Sequence, residues 1–144
     1  MLKDILAISG QPGLFKMVSK GNNSVIVESL ITGKRLPVYS SSKITSLEDI
    51  AIFTNSGETP LKGVFRNILA NDQLIDSVDA KSSPADLKKF FVQVLPDYDD
   101  IKVYVSDIKK VVMWYKLLKE KDLLNLIDEP EEAEPDSEKS ENKE

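Results

Sequence analysis

The chain contains neither cysteine nor histidine among its 144 residues. Without cysteine it has no disulfide, no thiolate nucleophile and no sulfur ligand for zinc or an iron–sulfur cluster. Without histidine it lacks the side chain that titrates closest to neutral pH, which is also the commonest ligand of transition metals. Acid–base catalysis would then depend on Asp, Glu, Lys or Tyr with strongly shifted pKa values. The composition therefore predicts a protein that is not an enzyme and that holds no cofactor.

Long apolar runs are missing as well. No stretch approaches the roughly 20 consecutive apolar residues that span a bilayer. The segment 1–8 is too short and too charged to form the core of a signal peptide. We therefore expect a cytoplasmic protein that does not bind membranes.

Charged residues are distributed unevenly along the chain. Of the net charge of −5, residues 128–144 contribute −7, from nine acidic residues and two lysines. This segment has two prolines and almost no apolar residues, so we expect a disordered acidic tail. The most basic part is 5–47, where five basic residues are accompanied by a single acidic one, Glu28.

Residues 13–54 have the composition of short β-strands. The strands are predicted at 13–19, 24–30, 35–39 and 50–54, because these runs are rich in β-branched and aromatic residues and are separated by turn sequences. Pro37 cannot donate to a β-ladder, so its strand should lie at an edge or carry a bulge. A capping box at 45–48 predicts a short helical turn, and a longer helix over 47–53 is the alternative. Several short strands joined by tight turns predict a small SH3-like β-barrel.

From residue 59 onward the apolar residues repeat at helical spacing. Two helix starts are predicted at 59–60 and 83–84, where Thr or Ser in the N-cap position precedes Pro in the first turn. A third amphipathic helix is predicted from 106, with an extension at 123–127 after a kink. The predicted fold class is α+β. Its parts are a small β-barrel at 1–56, a helical module at 57–127 and the acidic tail at 128–144.

Three blocks of the sequence are similar to a known type of protein. They are LKDILAISGQPGLF at 2–15, VESL with GKR at 27–35, and SDIKK followed by WY at 106–115. In these blocks the chain resembles a family of short, uncharacterised bacterial proteins, over most of 2–120. The resemblance implies a β-rich, SH3-like N-terminal domain of unknown function joined to a small helical domain. It implies no activity, substrate or catalytic residue.

Three short patterns match part of a functional motif but lack other residues that the motif requires. Ser40 and Lys43 have the spacing found in some penicillin-binding enzymes, but the other two motifs of those enzymes are missing. Lys34 follows a glycine, but the upstream glycine and the following Ser or Thr of a phosphate-binding loop are absent. The acidic cluster at 97–100 lacks the glycine and the distal glutamate of a calcium loop, so a solvated loop is favoured over weak magnesium or calcium binding.

The basic N-terminal segment supplies the candidate binding surface. Small barrels bind single-stranded nucleic acid by placing cations on the phosphates and aromatic rings against the bases. The candidate residues for an anionic partner are Phe15, Lys16, Lys20, Lys34, Arg35, Tyr39 and Lys43. The alternative, which the pattern of charges favours, is a solvated surface whose lysines keep the protein in solution.

Two functions are consistent with the sequence. The favoured one is a non-enzymatic protein-interaction or scaffold module that binds a protein partner or associates with itself, because no catalytic constellation appears and the helices are amphipathic. Trp114, about 100° around the helix from Tyr115, would either pack internally or contact the partner. The alternative is an RNA- or DNA-binding accessory protein, in which the acidic tail could compete with nucleic acid for the basic face.

Overall fold

The computed structural model describes residues 2–11, 13–39 and 43–128. Within these residues the chain forms an antiparallel sheet, a separate β-hairpin and a group of helices, which confirms the predicted α+β class. The predicted acidic tail lies outside the described residues except for its first residue, Asp128. The described ranges contain no helix that is long and apolar enough to cross a membrane.

The first sheet comes from the N-terminal third of the chain. Its strands are β1 (Ile5–Ile8), β2 (Phe15–Lys20), β3 (Ser24–Ser29), β4 (Arg35–Tyr39) and β5 (Ile44–Ser46). Their order is β4-β3-β2-β1-β5, and all neighbouring strands are antiparallel. The sequence predicted β2, β3 and β4 and missed β1 and β5, which are only four and three residues long.

The sheet is not closed into the predicted barrel. In the part of the chain that the structure describes, the two edge strands β4 and β5 do not pair with each other. All five strands nevertheless contribute to a small apolar cluster of their own. Its buried members are Leu6, Ile8, Phe15, Val27 and Val38, and Met17, Val25, Leu36 and Ile44 pack against them.

Pro37 lies in an edge strand, as the sequence predicted. The backbone N–H and C=O of Ser29 both form hydrogen bonds with the β3–β4 turn, so they point towards β4. The backbone N–H and C=O of successive residues point alternately to one side of the strand and the other. Those of Ile26 therefore point away from β4, and the backbone groups of its partner Pro37 point away from β3. The N–H that proline lacks would therefore point out of the sheet, where its absence removes no ladder hydrogen bond.

The fourth predicted strand belongs to a different sheet. It forms β6 (Ala51–Thr54), which pairs with β7 (Gly57–Pro60) in a separate hairpin. A single 3-10 turn at Leu47–Asp49 precedes it, and Ser46 Oγ accepts a 3.3 Å hydrogen bond from the Glu48 N–H there. The predicted helical turn is thus confirmed, and the alternative of a helix over 47–53 is wrong.

Four α-helices follow the hairpin within the part of the chain that the structure describes. They are α1 (Leu61–Ala70), α2 (Pro84–Val94), α3 (Val105–Glu120) and α4 (Asn125–Asp128). Ser83 Oγ caps α2 by accepting a 3.1 Å bond from the Asp86 N–H, as predicted. The helix α3 begins one residue before the predicted start, and Asp107 Oδ2 accepts a 2.9 Å bond from the Tyr104 N–H at its first turn.

One hydrophobic core connects the sheet to the helices. Leu2, Ile5 and Leu14 from the N-terminal part belong to the same buried cluster as Phe65 and Tyr115 from α1 and α3. One face of β1 therefore packs against the helices, while its other face belongs to the cluster of the sheet itself. The predicted domain boundary after residue 56 stays a prediction.

Candidate interaction groove

A groove of about 740 Å³ lies where the first sheet, the β6–β7 hairpin and α3 meet. The sheet contributes Ala7 and Ile8 from β1, residues 9–11 and 13 that follow β1, and Lys43 and Thr45 at β5, so that this part of the sheet forms a wall. The hairpin contributes 50–53, and α3 contributes a stripe that includes Asp107, Lys110 and Trp114. These three residues lie three and four positions apart and therefore share one side of the helix.

The hairpin presents an aromatic ring to the groove because of strand alternation. Ile52 borders the groove but is buried in the core, whereas its neighbours Ala51 and Phe53, which also line the groove, are exposed. The Phe53 side chain is 43% exposed, and Lys102 Nζ lies 5.3 Å from the centroid of its ring in a cation–π contact. A large apolar side chain and a cation thus occupy the same rim.

The helix α3 completes the apolar lining. Met113 is 45% exposed and borders the groove. Trp114 is half-buried, since it packs against the main core and also lines the groove. Both roles considered for this tryptophan from the sequence are therefore compatible with its position.

The loop before α3 is held by the acidic cluster. Asp99 Oδ1 accepts hydrogen bonds from the N–H groups of Ile101 (2.9 Å) and Lys102 (3.1 Å), and Asp97 Oδ2 accepts one from Ser56 Oγ (2.8 Å). Asp99 thus stabilises the turn at 99–102, and Asp97 links the loop to Ser56 in the β6–β7 turn. Among the described residues no group of three His, Cys, Asp or Glu side chains is arranged to hold a metal ion.

Part of the predicted basic surface exists on the outer face of β2–β4. Lys16 and Arg35 flank Glu28 in one row across the three strands, and Arg35 Nε lies 3.2 Å from Glu28 Oε1. Tyr39 lies on the same face of β4 as Arg35 and is 58% exposed. Glu28 offsets part of the positive charge of this row.

The other four predicted residues do not all join that surface. Phe15 is only 4% exposed and belongs to the sheet's own cluster, so its proposed place on the surface is corrected. Lys20 is exposed at the end of β2, and Lys34 is exposed in the turn before β4. Lys43 precedes β5, at the opposite edge of the sheet, and lines the groove.

Sequence reasoning missed most of the groove. Only Lys43 was among the candidate residues, and Trp114 was considered separately. Phe53, Lys102 and Met113 were not identified. The only available signal was an excess of lysines over 101–127, because the meeting of a hairpin with a helix from a distant part of the chain leaves no local pattern.

A second polar cluster connects α3 to the 3-10 helix at Asp72–Ser77. Tyr115 Oη donates to Asp72 Oδ1, and Lys119 Nζ donates to Asp72 Oδ2, each at 2.6 Å. The hydrogen bond from Lys119 lowers the pKa of the Asp72 carboxyl, and the bond from Tyr115 lowers it further. Burial, together with the bond to Asp72, raises the pKa of the Tyr115 phenol. The carboxylate stays ionised and the phenol stays protonated at neutral pH, which suits a structural contact and not an acid–base pair.

In a comparison with known proteins, each half of the chain matches the model of a protein family. Residues 2–47 match the model of a domain of unknown function (DUF5606), and residues 50–118 match that of another domain of unknown function (DUF6852). The chain is similar to a Bacteroides vulgatus protein whose solution NMR structure was determined by a structural genomics consortium. The identity is 40%, the match covers 85% of this chain and 89% of that one, and the TM-score is 0.69. No curated protein matches the chain.

Proposed function

The chain belongs to a family of uncharacterised bacterial proteins, as its resemblance implied, and on this premise we propose that it is a non-enzymatic protein-interaction module. Its binding surface is the groove between the first sheet, the β6–β7 hairpin and α3. The occupant is an extended segment of a partner protein.

The observation that carries this proposal is the exposed apolar lining of the groove. Phe53, Met113 and Trp114 come from two different elements and meet on one concave surface. Grooves of several hundred Å³ that combine apolar walls with a few polar groups are typical binding sites. Aromatic residues and methionine are also enriched where proteins contact one another.

The extent of the apolar surface favours a polypeptide over a small molecule. Ile101 is 82% exposed and Tyr104 is 67% exposed, and both adjoin the segment 102–103 that lines the groove. The backbone is held at both positions, because the Ile101 N–H donates to Asp99 and the Tyr104 N–H donates to Asp107. Exposed apolar side chains thus flank the groove-lining segment 102–103 in the chain, and exposed apolar surface of this kind is typical of sites where proteins interact.

The sole tryptophan of the chain provides the test. Peptides selected from a random phage-displayed library against the full chain should change the fluorescence of Trp114 when they bind. Phe53→Ala should weaken their binding about tenfold or more, as expected for a buried aromatic contact. Val92→Ala is the matched control, since Val92 is exposed on α2 and does not line the groove. Equal affinities for the wild type and Phe53→Ala would overturn the proposal.

The finer description of the first sheet belongs to the same proposal. We infer that it is a bent, open relative of the SH3-like barrel. The contribution of all five strands to one small apolar cluster supports this, although β4 and β5 do not pair in the described residues.

A second candidate function is the binding of RNA or DNA on the outer face of β2–β4. It is supported by Lys16, Arg35 and the exposed ring of Tyr39 on one face. The double variant Lys34→Ala, Arg35→Ala should weaken the binding of short oligonucleotides and reduce its dependence on salt. Fluorescence anisotropy at two salt concentrations measures both effects. The double variant Lys88→Ala, Lys89→Ala on α2 is the control. An unchanged affinity of the Lys34→Ala, Arg35→Ala variant for oligonucleotides would exclude this surface.

A further inference from the structure

Three lysines surround the apolar lining of the groove. Lys43 comes from the segment before β5, Lys102 from the loop before α3, and Lys110 from α3 itself. All three are exposed and line the same groove. Three separate parts of the chain thus bring positive charge to one place.

These ammonium groups have no acidic partner within the described ranges. Other cations of the described residues do have such partners, since Arg35 pairs with Glu28, and Lys119 with Asp72 and Asp76. Lys102 has its contact with the Phe53 ring instead. The positive charge of the groove is therefore available to a ligand.

The acidic residue that lines the groove is already engaged. Asp107 Oδ2 accepts the hydrogen bond from the Tyr104 N–H at the start of α3, where the helix dipole also favours a negative charge. Asp107 therefore stabilises the helix end, and one carboxylate stands against three ammonium groups in the lining.

From this arrangement we propose that the partner segment is acidic and carries an apolar or aromatic anchor. The anchor packs on the wall formed by Phe53, Met113 and Trp114, and flanking carboxylates bind the three lysines. This inference rests on the proposed function, because it specifies the chemistry of the segment that occupies the groove. Charge complementarity of this kind gives a binding site its specificity and accelerates association.

A polypeptide fits this groove better than a nucleic acid. Single-stranded nucleic acids use flat aromatic platforms for successive bases. Here Phe53 and Trp114 share the lining with flexible or aliphatic side chains, among them Met113, Ile50 and Val103. Such a mixture suits the varied side chains of a peptide.

The test uses three synthetic peptides with blocked ends and one common centre, Phe-Leu-Phe. Glu and Asp flank the centre in the first peptide, Gln and Asn in the second, and Lys in the third. The full chain should bind the acidic peptide about tenfold more tightly than the neutral one and lose that preference at high salt. Binding is followed through Trp114 fluorescence and the anisotropy of a labelled peptide.

A triple variant identifies the cations responsible. Lys43→Gln, Lys102→Gln and Lys110→Gln together should remove the preference for the acidic peptide, so that the acidic and neutral peptides bind this variant with equal affinity. The control replaces three exposed lysines elsewhere, Lys81, Lys88 and Lys89, by Gln and should behave as the wild type.

The possible results separate the two levels of the proposal. If the acidic and neutral peptides bind equally, the acidic partner is excluded while the interaction groove stands. If no peptide of any charge binds, the proposed function fails as well. If a single-stranded DNA oligonucleotide binds in the groove more tightly than the acidic peptide, the partner is a nucleic acid and the inference is overturned.

Discussion

Tyr115 Oη and Asp72 Oδ1 are 2.6 Å apart and form the hydrogen bond that ties α3 to the 3-10 helix at Asp72–Ser77. The Tyr115 ring is fully buried and lies 6.0 Å from the Phe65 ring, centroid to centroid. The ring of Tyr115 thus lies in the core, while its hydroxyl group bonds to the partly exposed carboxylate of Asp72.

Tyr115→Phe should destabilise the fold by about 1.5 kcal/mol or more, because the ring remains while the hydrogen bond to a charged acceptor is lost. Urea unfolding followed by circular dichroism measures the change. Tyr104→Phe is the control, since Tyr104 is largely exposed and its loss of a hydroxyl should have no effect. Equal midpoints for the two variants would contradict the role of the Tyr115 bond.

The ion pair of Asp72 predicts a dependence of stability on pH. Because the bonds from Lys119 and Tyr115 lower the pKa of Asp72 in the folded state, ionised Asp72 stabilises the fold above its unfolded pKa of about 4. This contribution is lost as the pH falls below that value and passes through the lowered pKa. The wild type should exceed Asp72→Asn in stability at pH 7, and this difference should be smaller at pH 2. A difference that is the same at both pH values would contradict this assignment.

Gly13 has a φ of +76°, and a side chain there would collide with the side chain of Ile31. Gly10 has a similar φ of +83° but open space around it. Each glycine-to-alanine change should cost about 1–2 kcal/mol for the left-handed backbone. Gly13→Ala should cost up to about 1 kcal/mol more, because Ile31 must leave its preferred rotamer. Thermal unfolding of the two variants separates these effects, and a larger loss for Gly10→Ala would be inconsistent with them.

Pro37 lies in β4, an edge strand of the sheet formed by the described residues. Pro37→Val restores an outward N–H on an edge strand, so the variant should associate more strongly with itself than the wild type does. Sedimentation velocity over a range of concentrations measures this. Pro37→Lys is the control, since it also restores the N–H but adds a charge that opposes edge-to-edge pairing. Association of both variants to the same extent would assign the effect to the loss of proline alone.

The acidic residues of 129–144 should compete with an acidic ligand for the groove, because a segment of the same chain acts at a high effective concentration. Replacing its eight Asp and Glu residues by Asn and Gln should strengthen binding of the acidic peptide several-fold at low salt. The neutral peptide should be unaffected. No change in either affinity would show that this segment does not compete.

The strands and helices that were predictable are those with a complete local signal. Ser83 before Pro84 predicted the start of α2, and Pro37 predicted an edge strand. By contrast, β1 and β5 are short and pair with each other across almost forty residues of sequence. The run of apolar residues in β1 did not reveal which face of that strand would meet the helices.

The candidate site was predicted less well for the same reason. Phe15 and Lys16 are adjacent, and strand alternation puts one inside and the other outside, which the sequence alone did not resolve. Lys43 and Lys110 are far apart in the chain and meet in one groove. Such a meeting depends on how the sheet, the hairpin and α3 pack.

The core that joins Leu2, Ile5 and Leu14 to the helices has a consequence for how such a chain is inherited. Two domain models meet at 48–49, but the apolar face of β1 is covered only when both parts are present. A gene fragment that encoded either part alone would leave that apolar surface uncovered and prone to aggregation. Recombination that exchanged one part for a distant counterpart would have to preserve the fit of Leu14 and its neighbours. The two domains are therefore expected to be transmitted together.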